Sequence, residues 1–514
     1  MAVILVLVIL TGVTPMASLA LPKPTRRTIV NISATNLNVP CNYVISTDGI
    51  YYYARDCTTD SVVYGGPNNA SRVDGLVFAD VIESTVRHCS VGCHVVIKNG
   101  TYVVSRTLVF DPGHDNVNLE GSGLGTKLVL KPSFNGQAAW FDEANWIVEN
   151  FMINATNQVK GKSYETIGVR GRNNTVSGLY IVNPDHGGIR LSGDGDAALN
   201  NTIFNATDDG IILSKGTHMI ASSNFINRTT NHNGISLVTT SDDSVTSNVV
   251  NYAGGSGIAL ENLGSGPCRD VLISDNLIQH PGYAGVTIYS PDAASNVTIV
   301  NNTIVQSQRY GIFVPGGSDY VLWKNRILDA RLTGVYLRNV DCTLISTNDI
   351  ERPKTGIYLA SGTACAHLLN NVIAQPVNSG MELKEPHGTL VSGNRIEGIA
   401  SSTYTVGINV TSGRSVILSN NYINGSARYG IILTDTSQSL IANNTFAYLG
   451  QNSIAIDEQG GPKNNQIVGN QFSTTSTTTT QPAIPGFPWE SILVGVTIGL
   501  GALAVMRRRR DLTS

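Results

Sequence analysis

Asn348-Asp349-Ile350, followed by Gly356-Ile357-Tyr358-Leu359, decides how this chain is read, because its neighbours repeat it. One period earlier stand Asn325-Arg326-Ile327 and Gly334-Val335-Tyr336-Leu337. One period later stand Asn371-Val372-Ile373 and Gly380-Met381-Glu382-Leu383. The asparagine recurs at Asn201, Asn224, Asn248, Asn276, Asn302, Asn325, Asn348, Asn371, Asn394, Asn421, Asn444 and Asn470. From Gly188 the glycine steps by 22, 24, 23, 28, 26, 23, 22, 24, 27 and 23 residues to Gly430, with Ser453 taking the last place. A period in this range marks a solenoid whose single repeat cannot bury its apolar face alone.

Each unit holds three short apolar pieces, such as Val297–Val300, Asn302–Val305 and Gly311–Val314. They alternate with period two and are rich in Ile and Val, so they are strands rather than helices. No leucine framework or helix of a leucine-rich repeat is visible. Three strands per coil predict an all-β, three-sheet parallel β-helix of about 12 to 14 coils, stacked at roughly 4.8 Å. The asparagines then form a ladder from coil to coil. The glycines are expected at turns that need φ > 0. Cys342 and Cys365 lie 23 residues apart, each six before a ladder asparagine, and are predicted to form a disulfide between adjacent coils. Cys41 and Cys57, and Cys89 and Cys93, are further neighbours in sequence, with Cys268 left over. Paired cysteines suit an oxidising compartment.

A net charge of −3 gives no basic patch for nucleic acid. The apolar start and Ser18-Leu19-Ala20 read as a secretory signal peptide over residues 1–20, although no basic residue precedes the run. Residues 21–73 read as a β-rich cap and 74–472 as the solenoid. Residues 473–486 form a Ser/Thr-rich stalk, 487–506 a membrane-length apolar run and 507–514 a basic tail. Pro485-Gly486-Phe487, that run and Arg507–Arg510 together resemble the PGF-CTERM sorting signal of archaeal surface proteins. The resemblance implies processing by an archaeosortase, and both it and an ordinary anchor place the solenoid outside the cell. Thirteen Asn-x-Ser/Thr sequons, among them Asn99, Asn205, Asn227 and Asn424, are candidate glycan acceptors. Asn301 and Asn443, beside ladder positions, are expected to be buried.

Residues 74–88 carry Leu76, Val77, Val81, Ile82 and Val86 at helical spacing and predict a helix that plugs the open solenoid end. A hairpin is expected around Asp48-Gly49, with Tyr51-Tyr52-Tyr53 used for packing rather than sugar stacking. The helix, then Val95-Val96-Ile97-Lys98-Asn99-Gly100-Thr101-Tyr102, then Val117-Asn118-Leu119-Glu120-Gly121-Ser122-Gly123, resembles the start of the pectate-lyase-like superfamily. That resemblance implies a right-handed helix. Similar repeats occur in NosD-type copper-associated proteins, but 9 His and 6 Met without clustering give copper little support.

The second and fourth residues after each glycine should point outward. They include Arg190, Glu261, Tyr289, Tyr336, Arg338 and Tyr358, which with His186 are candidate substrate contacts. The sharper constellation is Asp185-His186-Gly187-Gly188, Asp208-Asp209-Gly210 and His232-Asn233-Gly234, preceding the same strand in three coils. His186, Asp208 and His232 share one column. Carboxylates one or two coils apart would be roughly 5 to 10 Å from each other, the range used by glycosidases. The cluster resembles the polygalacturonase type of glycoside hydrolase, which carries Asn-Thr-Asp, Asp-Asp, Gly-His-Gly and later Arg-x-Lys. The resemblance implies catalytic roles for Asp185, Asp208, Asp209 and His232, with no metal. Asp185 departs from that pattern in its Pro-Asp-His context, His232 is displaced by one residue, and Glu261 stands where a basic residue is expected. A calcium-dependent lyase using Asp242, Asp243, Asp270 and Arg269 is the rival chemistry. A glycan-binding, adhesive or purely structural envelope protein is the non-enzymatic alternative.

Overall fold

The computed structural model describes residues 40–473, apart from 68–72, 90–91, 111–112, 162–163, 263–265, 290–293, 400–404, 426–427, 448, 450–452 and 462–463. The chain divides into one unit of Met1–Phe472 and a second of Ser473–Ser514. The signal peptide, apolar run and basic tail expected from the sequence, and the stalk beyond Ser473, lie outside the described residues. No helix among those described is long and apolar enough to cross a membrane.

The first unit is a parallel β-solenoid. Each coil contributes one strand to each of three ladders, as in Ile189–Leu191, Ala197–Leu199 and Thr202–Ala206. The ladder after the glycine column holds 15 strands, from Leu108–Phe110 to Ile454–Gln459, one more than the upper expectation of 14. The extra coil comes from the non-repetitive start, where Leu108–Phe110 and Ala139–Phe141 pair without the glycine signature. The other two ladders fuse into one sheet, because Asn118–Leu130 and Ile147–Asn154 run continuously through both.

The asparagine ladder behaves as expected. Asn325 donates its backbone N–H and its Nδ2 to Asn348 Oδ1, at 2.9 and 3.0 Å. Its Nδ2 also reaches Ile299 O of the preceding coil at 2.8 Å. The residue before each ladder asparagine takes the left-handed conformation, for example Lys324 at φ 54° and Thr347 at φ 57°. The corner is thus turned there.

The glycine column works differently from the expectation. Its members do not adopt positive φ. They are required by close approach: a Cβ on Gly356 would sit 2.4 Å from Gly380 O and 2.6 Å from Ile373 Cγ2. Register also places Ala455, not Ser453, opposite Gly430, since Tyr429 pairs with Ile454. A methyl is tolerated at Ala455 because no further coil stacks on it among the described residues.

Helix α1 spans Phe78–His88, four residues shorter at its start than expected. Leu76 is 57% exposed and lies outside the plug, whereas Val81, Ile82 and Val86 are buried. The chain from Asp74 to Val77 forms a turn instead, with Asp74 Oδ1 accepting Leu76 N–H at 2.9 Å. The cap hairpin pairs Tyr43–Thr47 with Tyr52–Asp56, and the first strand also pairs parallel with His94–Ile97, extending the solenoid. Tyr52 packs against Phe78 and Tyr102, at ring-centroid distances of 5.5 and 5.8 Å. Cys342 and Cys365 are bonded with Cα atoms 4.7 Å apart, and Cys41–Cys57 and Cys89–Cys93 are the other pairs. Cys268 is free and buried. Three disulfides fit an oxidising, extracytoplasmic compartment. Asn301 is half-buried, and Asn443 is exposed rather than buried.

Candidate functional site

The predicted column forms. Asp208 N–H bonds His186 O at 2.9 Å, so His186, Asp208 and His232 are stacked across three coils. The Asp208 carboxylate lies between the two imidazoles. His186 Nε2 is 2.6 Å from Asp208 Oδ2, and His232 Nδ1 is 2.7 Å from Asp208 Oδ1. Asp209 is buried, 7% exposed. Its Oδ1 accepts Ser236 O–H at 2.8 Å and Asn233 N–H at 2.9 Å, while Oδ2 lies 3.9 Å from His232 Nδ1.

Asp185 does not join this cluster. It aligns one position earlier, and its Oδ2 accepts the Gly161 N–H at 2.9 Å, bracing the preceding coil. Arg190 is committed as well: Nε and Nη2 bind Glu165 Oε1 at 2.7 and 2.5 Å. The lyase residues form no ligand set either. Asp243 is fully buried, with Oδ1 accepting Met219 N–H at 2.8 Å, and Asp270 bonds Asn296.

Two residues the sequence reading overlooked complete the site. Glu165, with its side chain 5% exposed, lies 3.8 Å from His186 Nδ1. Asn233 is the hub. Its Nδ2 donates to Glu261 Oε1 at 3.0 Å and to Ser236 Oγ at 3.1 Å. Its Oδ1 accepts from Tyr289 O–H and Ser256 N–H, both at 2.9 Å. Glu165, Asp209 and Asn233 share the column one residue before the glycine, by register of the following strands. Following that column as well as its neighbour would have found Asn233, whereas Glu165 precedes Thr166 rather than a glycine.

The carboxyls are driven apart electrostatically. Burial pushes Asp208 up, but the His186 hydrogen bond and the charges of His186, His232 and Arg190 outweigh it and hold Asp208 below the ordinary range. The same bond raises His186 against the opposing effect of burial. Burial raises Asp209, with the Asp208 charge adding to it against the Ser236 and Asn233 hydrogen bonds. Burial and the Asp209 charge push Glu261 up to about 6. Below about pH 6 a carboxylate at Asp208 and a protonated carboxyl at Glu261 therefore coexist, the condition for acid–base catalysis.

Beyond Tyr289, which is 45% exposed, the same face becomes aromatic. Phe313, Tyr336 and Tyr358 occupy successive outward positions in register. Their rings stack at centroid distances of 5.2 and 5.0 Å. Tyr310 lies 4.8 Å from Phe313, and Tyr283 5.6 Å from Tyr310. Arg338 is exposed beside Tyr336, and Lys384 lies 5.3 Å from the Tyr358 ring centre. Other outward positions are not solvated: Ser236, Ala259 and Thr287 are buried.

The family model for the right handed beta helix region matches residues 133–293 and 333–483, more than half of the chain. The chain belongs to this family. The model for the periplasmic copper-binding protein NosD matches residues 257–383 of this β-helix. Within that segment Cys342 is bonded to Cys365, and Met381 and Cys268 are buried. Among the described residues, the group of His, Cys, Asp or Glu that brings three ligand atoms together is Asp208, Asp209 and His232, outside that segment. No curated protein matches the sequence.

Among solved β-helices, the Dettilon tailspike protein gp208 is 15% identical over 64% of this chain and 64% of its own, with a TM-score of 0.47. The match thus spans just under two thirds of the tailspike. The A-module of the Azotobacter vinelandii mannuronan C-5 epimerase AlgE6 is 15% identical over 78% and 95% of the two chains, with a TM-score of 0.39. PfbA, a surface adhesin of Streptococcus pneumoniae, is 13% identical over 71% and 87%, with a TM-score of 0.40. These likenesses concern the fold.

Proposed function

We propose that this β-helix protein binds a polysaccharide along its glycine-strand face and hydrolyses it at the Asp208–Glu261 cluster. One observation carries the reading: a carboxylate held ionised between two imidazoles and a carboxyl raised to about 6 lie two coils apart at the end of an aromatic stripe on one face. Glu261 is the proton donor to the leaving oxygen. Asp208 is the base that activates water, oriented by His186 and His232. Asp209 raises the proton affinity of Glu261 and is itself held by Asn233 and Ser236.

Asp208 and Glu261 belong to coils two apart, roughly 10 Å along the axis, and Glu261 reaches back to Asn233. That separation suits an inverting hydrolysis, which leaves room for a water between the two carboxyls. The stacked rings supply flat apolar surface for sugar rings.

The tail, whose sequence ends in Pro485-Gly486-Phe487, an apolar run and four arginines, supports anchoring of the solenoid outside the cell. Processing by an archaeosortase would replace the apolar run with a lipid.

The test is incubation of the full chain with a panel of acidic and neutral polysaccharides. New reducing ends without an unsaturated product are expected, formed about a hundredfold or more slowly by Asp208→Asn and by Glu261→Gln. Unsaturated ends that depend on calcium would establish a lyase instead. Binding without any new ends would establish a lectin, the reading that the aromatic stripe alone supports.

A further inference from the structure

The acid cluster is flanked on both sides. On the N-terminal side, Trp140 occupies the outward position two coils before Arg190, with Gly168 between them in register. A Cβ on Gly168 would sit 2.3 Å from Trp140 Cε3 and Cζ3. The indole therefore lies flat on the backbone of the next coil, and the missing side chain is what admits it. Arg170 places its guanidinium 4.3 Å from the indole ring centre. Arg170 is 63% exposed, and its nearest carboxylate is Asp142, 3.9 Å from Nε. Its terminal nitrogens have no partner among the described residues. Arg190, one coil further on, is spent on Glu165. A guanidinium set on an indole, with only its Nε near a carboxylate, offers its two terminal nitrogens to a carboxylate or sulfate, with an aromatic surface for the ring that carries it. Arg170 lies two coils from Asp208, roughly 10 Å along the axis.

We propose that Trp140 and Arg170 form a binding position for an anionic sugar residue on the opposite side of the acid cluster from the tyrosine stripe. A chain bound there and on Tyr336 and Tyr358 crosses the cluster, so it is cut internally rather than from an end. The internal cut rests on the hydrolase reading; the binding position does not.

Detergent-solubilised full chain is run in native gels cast with polygalacturonate, alginate, dextran sulfate or neutral dextran. Retardation by at least one acidic polymer and none by neutral dextran is expected. Arg170→Gln and Trp140→Ala should each weaken it about tenfold, and Trp323→Ala, on another ladder, should leave it unchanged. Arg170 is too exposed for its substitution to unfold the chain, so that variant stays informative if Trp140→Ala misfolds. Retardation unchanged in Arg170→Gln, equal retardation by neutral dextran, or none by any acidic polymer would overturn the proposal. The retarding polymer is then digested. A steep early fall in viscosity relative to reducing ends is expected, and release of monomer alone would overturn the internal cut. A polymer that retards the wild type through Arg170 but is never cleaved would defeat the hydrolase reading and leave the binding position standing. Cleavage indifferent to Arg170 would do the reverse.

Discussion

Asp208, Asp209 and Glu261 have different roles because their surroundings differ, although all three are carboxyls on one face. Two imidazoles hold Asp208 ionised, while burial and the Asp209 charge keep a proton on Glu261 up to about pH 6. Replacing Glu261 with Gln removes the proton donor and should lower kcat by about a hundredfold or more, with KM little changed; steady-state kinetics on a cleaved polymer reads this. Activity should fall as pH rises through about 6, where Glu261 loses its proton, and this alkaline limb should vanish in Glu261→Gln. Asp208, His186 and His232 were legible in the sequence because a constant offset from a repeating glycine becomes a column. Glu165 was not, because its coil carries Thr166 where the glycine should stand, so no glycine marks its column. The bond from Arg190 to Glu165 was not legible, because outward direction says nothing about the partner a side chain finds.

The repeating element is a coil held by two columns with different physics. The asparagines satisfy corner donors that would otherwise be buried without partners. Asn348→Ala leaves the Asn325 N–H and its Nδ2 without their Oδ1 acceptor, and should cost about 1 to 3 kcal/mol in urea unfolding. The glycines keep coils close enough to pair. Gly356→Ala should cost about 1 to 3 kcal/mol through overpacking, whereas Ala455→Ser at the last coil should cost little. The period alone revealed both columns, but not why glycine is required. Left-handed corners and close approach both select glycine, and only coordinates distinguish a φ from a contact. Helix α1 was legible in its buried residues and not in its start, because Leu76 fits the helical spacing yet lies in a turn.

At the scale of the molecule, buried acids set the pH dependence of stability. Burial raises Asp196 and Asp243 to about 7 in the folded chain from the ordinary 3.8. Between these values the unfolded chain binds fewer protons, so stability should fall as pH rises from about 4 to 7. His186, raised by its bond to Asp208, also contributes stability below its unfolded range that is lost as pH rises through its folded value. Asp208, lowered, acts oppositely and only at more acidic pH. Thermal unfolding should therefore be highest in mildly acidic buffer, and Asp196→Asn should flatten the slope. The solenoid was visible in the sequence because the coils from Gly188 onward repeat one solution. The chemistry was only partly visible because it departs from the repeat.

The central claim is tested most directly by the crystal structure of Glu261→Gln soaked with an oligosaccharide of the polymer the wild type cleaves. The sugar chain should lie along the glycine-strand face from Trp140 toward Tyr358, with one glycosidic oxygen beside residue 261 and a water on Asp208. Sugar bound on either of the other two ladders, with Asp208 and residue 261 untouched, would contradict it.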